Sequence, residues 1–267
     1  MNNKFKNMLS LASNNRKNIK QIEDVKNNLV DNSLYPNKLP ENCNFEIPNN
    51  IFQTWETKKL PPLMFNSINN IKKNNPRFNY FLFDDNDCRE FIRNNFPVCV
   101  LNAYNRLIPG AYKADLWRYC ILYKKGGIYM DIKYQPINGF KLFNLLEKEH
   151  WTKDINENNV YNAIMVCKAG NPILLEAIVQ ICKNVKNKYY GEGYLDPTGP
   201  GLLSKYFNSE EKKLFDIKHV LCGNNDDKYI KFNEKYIFKC YSGYFHERNS
   251  SKTEHYAILW NKKNIYL

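Results

Sequence analysis

Four charged residues in one short stretch have the types and the spacing to do chemistry. Asp115, Arg118, Asp131 and Lys133 fall within residues 110–136, GAYKADLWRYCILYKKGGIYMDIKYQP. Asp115 and Arg118 stand three apart, so on a helix they share one face. Lys124 and Lys125 followed by Gly126 and Gly127 spell a helix stop, because glycine takes the left-handed conformation that closes a helix. The run that follows alternates with period two. It predicts a strand with Ile128, Met130, Ile132 and Tyr134 on one side and Tyr129, Asp131 and Lys133 on the other. A helical Asp/Arg pair thereby comes beside an Asp/Lys pair at a strand end. Carboxylates accept hydrogen bonds from hydroxyls, and a guanidinium supplies several donors in a fixed plane. Taken singly, the residues also fit a blander reading. Asp115 and Arg118 would be a solvated pair worth under about 1 kcal/mol, and Asp131 with Lys133 the wet face of an edge strand.

The elements that must position these groups follow from the rest of the chain. Residues 1–45 predict a helical or partly disordered arm, with Met8, Leu9, Leu11, Ile19, Ile22, Val25 and Leu29 at loosely helical spacing. Residues 46–267 form the globular domain. It opens on a strand ending near Phe52, Gln53, Thr54 and Trp55, and the carboxyl end of such a strand is where ligands bind in an α/β sheet. Pro61 and Pro62 introduce a helix, residues 78–83 predict a buried strand, and Asp85 predicts the cap of the next helix. This β-α-β-α order implies a mostly parallel α/β sheet. Further on, 162–167 predict a buried strand and Asn171-Pro172 starts an amphipathic helix. Residues 198–201 predict a turn, 217–241 short strands around 224–227, and the tail with His246, His255 and Trp260 a last short strand.

Composition narrows the function classes. A chain of 267 residues can bury a sizeable core. The net charge of +12 suits a nucleic acid, a membrane surface or an anionic small molecule. The lysines are spread out, however, without the basic run and interleaved aromatics of a nucleic-acid groove. None of the eight cysteines forms a CxxC or a zinc-spaced cluster with histidine. No segment has the length and apolarity of a membrane span. The sequence predicts a protein of a reducing compartment, without disulfides, with cytoplasmic localisation (host cytoplasm if the source is viral).

Ala114, Asp115, Arg118, Tyr119, Leu122, Tyr123, Gly126, Gly127, Ile128, Tyr129 and Asp131 spell A-D-x-x-R-Y-x-x-L-Y-x-x-G-G-I-Y-x-D. This string resembles the sugar-binding region of glycosyltransferase family 32. That family includes the yeast initiating α-mannosyltransferases and has the clostridial glucosylating toxins as distant kin. Ile47-Pro48 with residues 51–55 is similar to its opening strand, with Phe52 where His is usual. Residues 82–85, Thr198-Gly199-Pro200 and His255 to Trp260 are similar to its later segments, in the right order. The resemblance implies a GT-A-like α/β domain, a Rossmann-like mixed sheet flanked by helices. It implies a retaining glycosyltransferase that moves a hexosyl group from a nucleotide diphosphate sugar to a hydroxyl of a glycan or protein acceptor. UDP-sugars are favoured over GDP-sugars. Asp115, Arg118 and Asp131 would hold the donor sugar. Phe52, Gln53, Thr54, Trp55, Tyr129 and Asp131 would line the nucleotide, and Lys133, His255 and Trp260 would close over the diphosphate. Catalysis would rest on Asp131, Lys133 and Arg118.

The sequence departs from the family at the metal motif. DxD reads Asp131-Ile132-Lys133 here, and the polar residue before the final Trp is Leu259. A second aspartate would coordinate a divalent cation that neutralises the leaving diphosphate, and a lysine cannot. Asp131 alone remains as a ligand for Mn2+ or Mg2+. Two readings stand. In one, the Lys133 ammonium takes over part of the metal's role and the enzyme is metal-independent. In the other, the chain is a nucleotide-sugar- or glycan-binding pseudoenzyme.

Overall fold

The computed structural model describes residues 45–222, 228–249 and 254–267. The arm expected over 1–45, except Phe45, and the connection around 224–227 lie outside the described residues. Strand β1 (Asn50–Thr54) leads through α1 (Pro62–Asn74) to β2 (Asn79–Phe83). Three helices follow, α2 (Asp85–Asn95), α3 (Val98–Arg106) and α4 (Gly110–Lys125), then β3 (Gly127–Met130) and β4 (Tyr134–Pro136). After a 3-10 turn come β5 (His150–Lys153), β6 (Val160–Cys167), α5 (Pro172–Lys186), α6 (Pro200–Ser204) and α7 (Ser209–Lys213). Strands β7 (Ile217–Leu221), β8 (Lys228–Phe232) and β9 (Lys235–Cys240) precede α8 (Tyr244–Asn249) and α9 (Tyr256–Asn261).

The nine strands among the described residues join one sheet in the order β2-β1-β3-β6-β5-β7-β8-β9-β4. The sheet is mixed and flanked by helices, as the resemblance implied, but less parallel than the element order suggested. Only the β1/β2, β1/β3 and β5/β7 pairs run parallel. Alternation in β1 and β3 divides the core. Phe52 and Tyr129 face the helices, with Trp117, Leu116 and Ile178. Ile51, Ile128 and Met130 face a second cluster with Phe140, Ile217 and Phe238.

Four local expectations need correction. The run 78–83 forms an edge strand rather than a buried one. Phe81 is 41% exposed and stacks on Phe52 at 5.3 Å, because a sheet edge has a neighbour on one side only. The cap of α2 is Asp84, whose side chain accepts from the backbone N–H groups of Asn86 and Asp87 at 3.0 and 2.9 Å. Asp87 returns a bond to the Asp84 N–H, a reciprocal capping box, and Asp85 is the first helical residue. The C-terminal segment with His255 and Trp260 is the helix α9 rather than a strand, and strand-like pairing is reduced to one bridge between Leu107 and Tyr266.

The fourth correction concerns the central stretch. The strand predicted over 128–134 breaks after Met130. Asp131, Ile132 and Lys133 turn, the Tyr134 N–H donates to the Asp131 carbonyl at 3.0 Å, and Tyr134 pairs with Cys240 of β9. β3 is third in the sheet and β4 is ninth. Three residues between them span no more than about 15 Å. The far edge of the sheet must therefore curl back onto its centre, and Asp131-Ile132-Lys133 closes the curl.

Candidate active site

Helix α4 sets the first half of the site. From Asp115 to Leu122 every residue is buried, because α4 lies between the sheet and the helices around it. The double glycine that ends it is obligatory. Gly126 and Gly127 have φ of 61° and 126°. A Cβ would stand 2.7 Å from the Ala169 nitrogen or 2.7 Å from the Asn50 carbonyl. The chain can thus leave the helix and enter β3 directly, which fixes the helical pair against the strand.

Buried charges need partners, and here each has several. Asp115 accepts from the Asn162 side-chain amide at 2.9 Å and from the Thr198 hydroxyl at 2.8 Å. Arg118 Nη2 lies 3.3 Å from the same carboxylate. Arg118 also donates to the Asn162 and Ala114 carbonyls at 2.7 and 3.2 Å, and its guanidinium sits 4.5 Å over the Tyr129 ring. On the other side it reaches Asp131 at 3.4 Å. Asp131 accepts from the Tyr129 hydroxyl at 2.9 Å and from Lys133 Nζ at 2.7 Å. The set is a chain of alternating charge, Asp115, Arg118, Asp131, Lys133. The wet-face reading of Asp131 and Lys133 does not hold, since their side chains are 23% and 15% exposed.

The two carboxylates differ in acidity. Burial raises Asp115, and Arg118, Thr198 and Asn162 only partly offset it. Burial also pushes Asp131 upward, but the Lys133 ammonium and the Arg118 guanidinium outweigh it and hold its carboxyl below the usual range. Burial acts to discharge Lys133, yet Asp131, helped by Tyr161 and Tyr134, keeps it charged well above its ordinary value.

Two cavities, of about 190 and 360 Å³, meet at this chain. The first is lined by Thr54, Trp55, Asp85, Tyr104 and Pro109, beside Tyr129. The second is lined by Asp115, Lys133, Tyr161, Gly199, His219 and His255, among others. Arg118, Asp131, Tyr244, Arg248 and Tyr256 line both. Of the residues expected to line a nucleotide, Thr54, Trp55, Tyr129 and Asp131 line the first cavity. Phe52 and Gln53 do not, because β1 is an inner strand and its central side chains are consumed by packing. Phe52 is 2% exposed, and fully buried Gln53 accepts from the Tyr80 hydroxyl at 2.6 Å while donating to the Asp131 carbonyl at 3.4 Å. Gln53 thus braces the Asp131 backbone from inside the core. His255 lines the second cavity and caps α9 by accepting from the Ala257 N–H at 3.2 Å. Trp260 is at neither cavity. Its indole N–H donates to the Tyr190 carbonyl at 2.7 Å, and Lys263 lies 4.6 Å over its ring.

Several residues at the site were not singled out by sequence. Asn162 had one signal, a polar residue opening an otherwise apolar strand. Tyr244 and Arg248 had none, since α8 carries no motif. Thr198 was read as part of a turn. The turn does start α6, and it also brings Gly199 so close to Asp115 that a Cβ there would lie 3.1 Å from the carboxylate.

The residues do not fit a resident divalent cation. Hard cations take several oxygen ligands. Among the described residues no three His, Cys, Asp or Glu side chains converge on such a position. Asp131 is the carboxylate at the motif, and one of its oxygens is already held by an ammonium.

The fold is a mixed sheet flanked by helices, and its site is a buried chain of alternating charge where two cavities meet. Residues 61–162 match the model of the glycosyltransferase sugar-binding region containing the DXD motif. The strand at 47–55 and the segments 198–200 and 255–260 lie outside the match. The chain is 29% identical over 182 residues to inositol phosphoceramide mannosyltransferase 3 of Schizosaccharomyces pombe, covering 67% of this chain and 50% of that protein. It is 31% identical over 91 residues to the initiation-specific alpha-1,6-mannosyltransferase of Candida albicans, covering 32% and 24%. Among solved structures, the PaToxG glycosyltransferase aligns with a TM-score of 0.47 at 16% identity, over 75% of this chain and 80% of that one. The chain spans about half the length of the first curated relative it matches.

Proposed function

We propose that this chain is a retaining hexosyltransferase that uses a nucleotide diphosphate sugar and transfers the sugar to a hydroxyl of a glycan or protein acceptor. The observation that carries the reading is the buried Asp115-Arg118-Asp131-Lys133 chain at the junction of two cavities. The nucleotide would fill the first cavity against Trp55, and the acceptor would enter the second. The sugar hydroxyls would bond to Asp115 and Asp131, whose Oδ2 atoms each have one partner, Thr198 and Lys133 respectively, and keep a further lone pair. Mannose is the sugar named for the relatives, and it is the hexosyl group we favour. The seven described cysteines are all free thiols, which supports a cytoplasmic location.

As the bond from the anomeric carbon to the phosphate oxygen breaks, negative charge grows on the diphosphate. Lys133 and Arg248, which line the second cavity, would stabilise it. Both Asp115 oxygens are engaged by neutral donors, and Asp131 is paired with two cations, so neither carboxylate is free to attack carbon. The acceptor oxygen would attack on the face the phosphate leaves, passing its proton to the departing phosphate oxygen. Configuration is then retained without a covalent sugar on the protein. The test is release of nucleotide from UDP-hexoses and GDP-mannose, with excess chelator and with manganese. The reading expects turnover of at least one donor that survives the chelator. Donor-dependent thermal stabilisation without nucleotide release would make the chain a binder instead.

A further inference from the structure

The second cavity holds a group that the donor chemistry does not use. Asp154 follows the end of β5, Tyr161 lies at the start of β6 and His219 is the middle residue of β7. These three strands are adjacent, so the side chains meet on one side of the sheet. His219 Nδ1 lies 3.2 Å from Asp154 Oδ1. The imidazole stacks on the Tyr161 ring at 3.9 Å and 12°. The His219 side chain is 8% exposed, and its Nε2 has no hydrogen-bond partner among the described residues. Both rings and Asp154 line the cavity that also contains Lys133 and Asp131.

The chemistry of the pair fixes what His219 can receive. Asp154 accepts only, so the nitrogen facing it must carry the proton. Nε2 then holds a lone pair. Burial of the ring, opposed by Asp154 and helped by Lys133 and Lys228, favours the neutral form over the imidazolium. A buried lone pair without a donor costs stability unless function supplies one. Resting on the function proposed above, we propose that Asp154 and His219 form the acceptor subsite. His219 Nε2 takes a hydrogen bond from a hydroxyl of a polyol acceptor and, through it, orients the attacking hydroxyl toward the sugar. His219 is a positioning residue. It binds a hydroxyl beside the reacting one, and the reacting proton still leaves with the phosphate.

Nitrogen-15 NMR of the histidine-labelled full chain tests this directly. At neutral pH, His219 should show a pyrrole-type Nδ1 and a pyridine-type Nε2. Its Nε2 signal should move upfield when methyl α-mannoside or myo-inositol is added with bound nucleotide diphosphate, as expected for a new hydrogen bond. An imidazolium, an Nε2–H tautomer or an Nε2 signal indifferent to both polyols would overturn the subsite. The kinetic arm uses His219→Phe, which keeps the stack on Tyr161 and removes the lone pair. The ratio of transfer onto the polyol to hydrolysis of donor should drop tenfold or more, and His219→Gln should recover part of it. Equal ratios in wild type and His219→Phe would sink the inference. Donor hydrolysis by the wild type reports separately on the underlying function, so a protein that hydrolyses no donor fails there first.

Discussion

The Asp115 corner and the Asp131 corner lie at opposite ends of one guanidinium, yet the protein treats them in opposite ways. Asp115 is wrapped by neutral donors, Thr198 and Asn162, with one cation at the side. Asp131 is held between two cations with a tyrosine hydroxyl beneath. The first corner keeps a carboxylate that burial disfavours, aimed into a cavity. The second concentrates positive charge around a carboxylate that folding favours. A polyhydroxylated ligand needs the first kind of corner and a developing anion the second. Under the function proposed above, one helix and one turn would separate binding from charge stabilisation within a few ångströms.

Removing the shared cation should break both corners at once. Arg118→Met leaves two buried carboxylates without their bridge, and we expect a loss of about 3–5 kcal/mol in urea unfolding together with donor turnover at background. Next come the two amide variants, which should each lower donor turnover by about 10²–10³-fold but differ in their acid limbs. The folded pKa of Asp131 is depressed. Its contribution to stability is present above the ordinary carboxylate range and is lost as pH falls through the folded value, so Asp131→Asn should lose less stability in acid than the wild type. The folded pKa of Asp115 is raised. The wild type gains stability as pH falls through it, so Asp115→Asn should miss that gain and unfold more readily in acid. Unfolding curves across the acid range decide, and shifts in the same direction would dissolve the comparison. Lys133→Ala should slow donor turnover by about 10–10²-fold and weaken nucleotide diphosphate binding measured by calorimetry. The smallest effect belongs to Thr198→Val, which removes one bond to Asp115. It should cost about 1–2 kcal/mol and weaken sugar binding a few-fold without altering the response to salt.

The sequence made these corners legible unevenly. Asp115, Arg118, Gly126 and Gly127 were readable because helical spacing and a glycine stop are local facts. Asp131 and Lys133 were readable as a pair, but not as a turn. Their neighbours Ile132 and Tyr134 continue a perfect alternation, and only the pairing of Tyr134 with distant Cys240 breaks the strand. Apolar residues 78–83 read as buried because a sequence does not say which strand lies at an edge. Phe52 and Gln53 were drawn into the site by a motif whose central side chains turn out to pack and to brace Asp131. Trp260 belonged to a matching motif, yet its indole is spent on Tyr190. Arg248 escaped notice because α8 carries no motif, and Asn162 and the Asp154–His219 pair because strand order sets their surroundings, which no local pattern encodes.

The closing turn at Asp131-Ile132-Lys133 also sets an order of events. β4 waits for β9, and the Tyr241 N–H waits to reach the Lys133 carbonyl at 2.9 Å, until nearly the whole second half of the chain has been built. Pairings between such distant segments form slowly. The helix carrying Asp115 and Arg118 can therefore be in place well before Lys133 reaches Asp131. During refolding this turn is fixed late, once β9 has joined the sheet, and it marks the closure of the curl.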